Sequence, residues 1–358
     1  MVTPPRLVRT VLVAEDGLHA LIIAVLRLLG RNRRIILPFI AYGSPARARV
    51  GARVVIGRPT AAADGPRSRW AVLRSTLARF FTVELPRVPV TITAPGGGAT
   101  VPTDREGYVD AVVDLPDLPP GRHEIGLRLP GDPAIVTAPL LVADPAATVG
   151  IVSDVDDTIV ETGITRGLAF LRITLLTDVA ERTPLPGAAA LYRALDAPVF
   201  YVSTSPWNLH EMLLQFLHLR GFPLGPLLLT DWGPSSSGLF RIGASEHKTT
   251  LVRRVLDDHP GLGLVLVGDS GQHDPEIYAA LAREFGDRIR AVYIRRTPGA
   301  DARRRAGLDA LAADVSAGGV PMVAVDDSVQ IAEHAARLGL LDAAGVAAVR
   351  AETAAQMP

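Results

Sequence analysis

Four short stretches hold most of the side chains able to do chemistry. Ser153-Asp154-Val155-Asp156-Asp157-Thr158 sets three carboxylates within four positions, a crowding of like charge that calls for a cation. Asp and Thr also cap helices well, so this stretch taken alone reads as a helix start too. Ser203-Thr204-Ser205-Pro206 brings hydroxyls and backbone N–H groups to a helix start, which suits an anion, although Ser-Pro is an ordinary way to begin a helix. Lys248 is the one lysine among 37 basic residues; the rest are arginine. GC-rich codon usage explains the arginines but not the surviving lysine, and a compact ammonium is needed where a planar guanidinium will not fit. Gly268-Asp269-Ser270-Gly271-Gln272-His273-Asp274 carries two acids around a glycine-containing turn. Asp274 precedes Pro275, where capping alone would explain it, whereas a carboxylate at Asp269 suits Mg²⁺. Phosphoryl transfer through an aspartyl phosphate needs this set together. Asp154 would attack phosphorus, Mg²⁺ would allow the two anions to approach, and Lys248 would neutralise charge developing on the oxygens. Asp156 would protonate the leaving oxygen and then activate water.

These stretches need elements that converge. Apolar runs at Val149–Val152, Val199–Val202, Leu227–Leu229, Leu264–Val267 and Ile289–Ile294 are continuous rather than alternating, as in strands buried on both faces. Helical segments separate them: 166–180, Gly187–Leu195, Pro206–Arg220 with Ser205 as N-cap and Gly221 as stop, Thr249–Asp258 and Pro275–Phe285. The pattern predicts a doubly wound parallel α/β sheet, with ligands beyond the C-terminal ends of its strands. Each of the motifs at Asp154, Ser203 and Asp269 follows directly on one of these runs.

The motifs, in this order, resemble the haloacid dehalogenase (HAD) superfamily of phosphatases: Asp154-Val155-Asp156-Asp157-Thr158, then Ser203, then Lys248, then Gly268-Asp269 with Asp274. The longer strings Ser153–Ile159, Phe200–Trp207 and Gly268–Tyr278 are similar to the actin-patch type of phosphatidate phosphatase catalytic domain, with lipins as more distant relatives. The resemblance covers about residues 149–298. Around Leu37-Pro38-Phe39 and Tyr42-Gly43 the chain also looks like the N-terminal part of bacterial members. It implies Asp154 as nucleophile and Asp156 as general acid/base, with Lys248 bridging nucleophile and phosphate. Ser203 would hold the phosphate, with Thr158 and Thr204 beside it. The resemblance also implies Mg²⁺ held by Asp154, Asp269 and the main-chain carbonyl of Asp156, with Asp274 in support. The implied reaction is hydrolysis of phosphatidate to diacylglycerol and phosphate. The intervals between the motifs are largely used by the fold's own elements, which predicts an HAD-like sheet without a large cap. Such an open site suits a large or membrane-bound phospholipid. Rim loops are expected at 162–167 and 230–239, and Trp207 and Trp232 are candidates for lipid contact or for buried packing.

The remaining chain frames this reading. Its 358 residues carry zero formal net charge, which argues against a nucleic-acid binder. The absence of cysteine excludes disulfides, Cys-ligated zinc and thiol catalysis. Residues 1–34 read as an amphipathic helix, too interrupted for a signal peptide or a membrane span. Short alternating runs between turn signals over 35–144 predict a small β-sandwich, with a helix inserted at 70–80. The catalytic domain is expected over 149–345 and a tail over 346–358. A cytoplasmic protein that can meet a membrane surface is expected, of undetermined oligomeric state. Asp326-Asp327-Ser328 echoes the first motif but fits a cap for a helix at Val329–Leu338. A receiver domain is excluded by motif order, since its metal-type acids precede the lysine. A phosphatase of phosphoproteins or soluble phosphomonoesters, and a non-catalytic binding protein, are the rival readings.

Overall fold

The computed structural model describes residues 28, 33–57, 83–156, 158–159, 184–230, 244–297 and 301–357. The expected helices at 70–80 and 166–180, the rim loop at 162–167, Trp232 and Asp157 lie outside the described residues, as do most of the helix expected over 1–34 and of the rim loop expected over 230–239; Arg34 opens a strand rather than ending a helix, and Thr230 ends one.

The chain divides into two compact units, 1–145 with 231–244, and 146–230 with 245–358. In the first unit nine strands form one sheet: β1 (Arg34–Pro38), β2 (Ala41–Ser44), β3 (Arg47–Ile56), β4 (Val83–Glu84), β5 (Pro89–Ala94), β6 (Gly97–Pro102), β7 (Tyr108–Asp114), β8 (Gly121–Arg128) and β9 (Val136–Val142). The expected sandwich is instead a single curled sheet, because the long β3 pairs with β1 and β2 along one edge and with β4 and β7 along the other. Curling lets β6 approach β7 and encloses one core, with Val50, Val54, Val90, Leu127 and Leu140 fully buried. β5, β7 and β9 alternate buried and more exposed positions, the pattern of a sheet packed on one face. The glycine run after Pro95 is not all turn. Only Pro95-Gly96 turns, with φ +75° at Gly96, and Gly97 and Gly98 open β6.

The second unit carries six strands: β10 (Val149–Asp154), β11 (Val199–Pro206), β12 (Leu227–Thr230), β13 (Gly263–Asp269), β14 (Ile289–Arg295) and β15 (Met322–Val325). Their order across the sheet is β12-β11-β10-β13-β14-β15, and every pair is parallel. Counted from β10 this is 3-2-1-4-5-6, which puts the reversal of strand order between β10 and β13. All seven residues of β13 are buried, as the unbroken apolar run implied. The described helices are α1 (Ala188–Leu195), α2 (His210–Leu219), α3 (Ala244–Asp258), α4 (Asp274–Phe285), α5 (Ala302–Ala317), α6 (Ser328–Arg337) and α7 (Ala343–Gln356). Three of them have aspartate caps at their starts: Asp301, Asp327 and Asp342 each accept from the backbone N–H three residues on. Asp327 therefore caps α6, as its place before Val329 suggested. The boundary expected at residue 345 falls inside α7, which packs on α1.

Candidate active site

Asp154 ends β10 and Asp269 ends β13, the two strands that flank the reversal of order. Both side chains are buried, with Asp154 1% exposed and Asp269 at 0%. Lys248, on α3, reaches Asp154 and is 2% exposed. Its Nζ donates to Asp154 Oδ1 at 2.8 Å and also to Asp274 Oδ1. The lone lysine thus bridges two acids that stand 120 positions apart in the chain. An ammonium can do this because its three donors radiate from one atom. The other oxygen of Asp154 accepts from Thr158 Oγ1 at 3.2 Å. Thr158, expected beside the phosphate, therefore orients the nucleophilic candidate in this arrangement.

The loop after β13 folds back on its own carboxylate. Gly271 and Gln272 N–H donate to Asp269 Oδ1 at 2.6 and 3.2 Å. Asp274 does not cap α4: the cap position is His273 and its side chain makes no cap bond. Asp274 instead turns inward, accepting from Lys248 and from the Asp269 N–H at 3.3 Å. Gly268 makes that approach possible, since a Cβ there would stand 2.4 Å from Asp274 Oδ2 and 2.8 Å from Tyr278 Cε2.

Asp156 lies against β11. Ser203 Oγ donates to Asp156 Oδ2 at 2.9 Å and Ser205 Oγ donates to the same oxygen at 3.1 Å. Ser205 was expected to cap a helix starting at Pro206. Instead β11 continues through Pro206 in extended backbone, a single 3₁₀ turn follows at Trp207–Leu209, and α2 starts at His210. Ser205 Oγ donates to Asp156 Oδ2 instead of accepting from a helix amide, so it caps no helix. Ser205 is the site residue that sequence reasoning missed, and its signal was its spacing of two from Ser203. Thr204, between them, is partly exposed. Behind the site Ser153 Oγ donates to the Asp154 carbonyl at 2.7 Å and lies 2.7 Å from the hydroxyl of Tyr192 on α1. Since the serine proton is committed, Tyr192 is the donor in that pair.

Charge in this cluster is unbalanced. Burial pushes the Asp154 carboxyl well above the usual carboxylate range, Lys248 opposes the shift, and Asp274, Asp269 and Asp156 reinforce it. Burial acts to lower the Lys248 pKa, but Asp154 and Asp274 outweigh it and hold the pKa well above the ordinary lysine value. One ammonium among four acids is an arrangement that a divalent cation completes. Asp154, Asp269 and Asp274 each offer one oxygen, all within 4.8 Å of one another. The donors are hard oxygens, with neither sulfur nor imidazole among these three residues, so the set fits Mg²⁺ rather than a softer transition metal.

Residues 149–296 match the family described as phosphatidate phosphatase APP1, catalytic domain. The chain is 29% identical over 240 residues to phosphatidate phosphatase APP1 of Saccharomyces cerevisiae, covering 63% of this chain and 40% of that protein. It is 29% identical over 153 residues to an uncharacterized protein of Schizosaccharomyces pombe, covering 41% of this chain and 25% of that protein. The chain therefore spans less than half the length of either curated relative. Among solved structures, a carbohydrate acetylesterase from Xanthomonas citri superposes with a TM-score of 0.30 at 12% identity, over 82% of this chain and 68% of that one. That superposition is too loose to bear on fold or function.

Proposed function

Because residues 149–296 match the catalytic-domain family of phosphatidate phosphatase APP1, we propose that this chain is an HAD-type, Mg²⁺-dependent phosphomonoester hydrolase whose substrate is phosphatidate. The observation that carries the reading is the buried Lys248 bridge between Asp154 and Asp274, with Asp269 beside it. In this reading Asp154, Asp269 and Asp274 would hold the ion, together with the main-chain carbonyl of Asp156. When bound, Mg²⁺ supplies the positive charge that lets an anionic phosphate approach an anionic carboxylate.

The chain's own residues do the rest. Thr158 and Lys248 fix the two oxygens of Asp154, so one lone pair is aimed at phosphorus before substrate arrives. Asp154 forms the new O–P bond while the substrate's ester O–P bond breaks. Asp156 gives its proton to the departing oxygen, which leaves as the diacylglycerol hydroxyl. The resulting Asp156 carboxylate then takes a proton from water, whose oxygen attacks the phosphoryl group and frees Asp154 and inorganic phosphate. The hydroxyls of Ser203 and Ser205 hold Asp156 Oδ2 in place and leave its Oδ1 for proton transfer. On substrate binding Ser203 can turn its donor to a phosphate oxygen while Ser205 keeps its hold. Lys248 takes up charge developing on the phosphoryl oxygens.

The test is phosphate release by the purified protein with Mg²⁺, comparing phosphatidate in micelles with p-nitrophenyl phosphate and a phosphopeptide. Higher kcat/KM on phosphatidate is expected. A preference for either soluble substrate would overturn the lipid assignment and leave the phosphatase assignment standing.

A further inference from the structure

Arg304 sits in the first turn of α5, in the run Arg303-Arg304-Arg305. Its half-exposed guanidinium lies against the loop after β13. Nε and Nη2 donate to the Ser270 carbonyl at 3.3 and 3.2 Å, and Nη2 donates to the Gln272 carbonyl at 2.8 Å. Nη1 donates to Glu276 Oε1 at 2.6 Å. Asp301 caps the same turn by accepting from the Arg304 N–H at 2.7 Å, which fixes where the side chain starts.

The Ser270–Gly271 peptide is the hinge of the geometry. Its carbonyl accepts from Arg304 and its N–H donates to Asp269 Oδ1. In a trans peptide these groups point in opposite directions, so Arg304 and Asp269 hold one rigid plane from its two sides. Drawing density from the carbonyl also strengthens the N–H as a donor. β14 supports the same residue, since the Ser270 N–H donates to the Arg295 carbonyl at 2.8 Å and Ser270 Oγ accepts from the Thr297 N–H at 2.9 Å. The other end of the loop carries Asp274 two residues after Gln272.

We propose that Arg304 is a positioning residue that sets Mg²⁺ affinity by locking the 270–273 loop, and with it the orientation of Asp269 and Asp274. The proposal rests on the phosphatase reading above. Lysine is a poor replacement, because one ammonium cannot match a planar fork that spans two carbonyls and a carboxylate.

The experiment titrates Mg²⁺ calorimetrically into the full-length protein without substrate. Loss of a group that orients metal ligands weakens metal binding by about 10- to 100-fold, and that range is expected for Arg304→Ala. Arg303→Ala removes the same charge from an exposed neighbour and is expected to change affinity by less than about twofold. With p-nitrophenyl phosphate at saturating Mg²⁺, KM for substrate is expected to stay near wild type in Arg304→Ala, which separates loop positioning from substrate contact. Arg304→Lys is expected to retain a clear affinity loss, and it carries the test if Arg304→Ala fails to fold by circular dichroism. Wild-type Mg²⁺ affinity in a folded Arg304 variant, or an equal loss in Arg303→Ala, overturns the proposal. A wild-type protein that neither binds Mg²⁺ nor releases phosphate overturns the phosphatase reading and this proposal with it.

Discussion

At the scale of single residues, two buried cations or would-be cations carry opposite lessons. Lys248 keeps its charge because Asp154 and Asp274 surround it at near-complete burial. Lys248→Arg preserves that charge but not the compact donor. A misplacement of about 1 Å at the reacting groups costs roughly 100-fold in rate, and a kcat loss of that order is expected for Lys248→Arg; near-normal turnover would mean the lysine is incidental. His210 is the converse case. It is buried at the start of α2, with its ring centroid 5.8 Å from that of Trp207. Burial lowers its pKa from 6.5 to about 4. The folded state therefore prefers the neutral ring, and the stability this contributes is present above pH 6.5 and lost as pH falls toward 4. At about 1.4 kcal/mol per pH unit in that window, the loss between pH 7 and pH 5 is about 2 kcal/mol. Urea unfolding of wild type and His210→Phe at the two pH values checks this. The variant's stability should fall by about 2 kcal/mol less than that of wild type.

At the scale of elements, the ends of α1 and α7 are joined across the unit. α1 begins after Gly187, which has no side chain to cap it. α7 supplies the missing acceptors: Gln356 Oε1 takes the Gly187 N–H and Glu352 Oε1 takes the Ala190 N–H, both at 3.0 Å. Gly187 has φ +71°, and a Cβ there would stand 2.0 Å from Thr353 Oγ1. Gly187→Ala is expected to cost about 2 kcal/mol or more, from backbone strain and overpacking together. Urea unfolding measures it, and Thr353→Ala in the same chain should recover only part, because the strained φ remains. These same elements mark what could be read from the sequence. The runs at Val149, Val199 and Leu264 announced their strands because burial on both faces leaves no polar position. β15 passed unnoticed because it has only four residues, two of them half-exposed. β1 and β2 passed because Pro38 and Phe39 interrupt what the sheet uses as one edge against β3. Asp154, Asp156, Ser203, Asp269 and Asp274 were legible because each belongs to a short motif, and Lys248 because it is the one lysine in the chain. Ser205 and Arg304 were not, since their roles depend on which way β11 and α5 run past distant residues.

At the scale of the whole molecule, the described site side chains all belong to the unit formed by 146–230 and 245–358. That unit has its own core, with Ile151, Tyr201, Leu264 and Val292 fully buried. A chain of residues 146–358 is therefore expected to retain Mg²⁺-dependent hydrolysis of p-nitrophenyl phosphate, within about 10-fold of the full chain. Loss of all activity in a folded fragment would place an essential group within residues 1–145. No helix among the described residues is long and apolar enough to cross a membrane. A contribution of residues 1–145 to phosphatidate preference is measured by comparing the two chains on phosphatidate micelles.

The central claim is that phosphate passes through Asp154. Acid quenching during turnover of a labelled phosphomonoester, followed by proteolysis and mass spectrometry, locates the transferred group directly. The account predicts an acid-stable, hydroxylamine-sensitive phosphoryl group on Asp154 that is absent from Asp154→Asn, which should also release no phosphate. Label on Ser203 or another side chain, or continued turnover by Asp154→Asn, would contradict it.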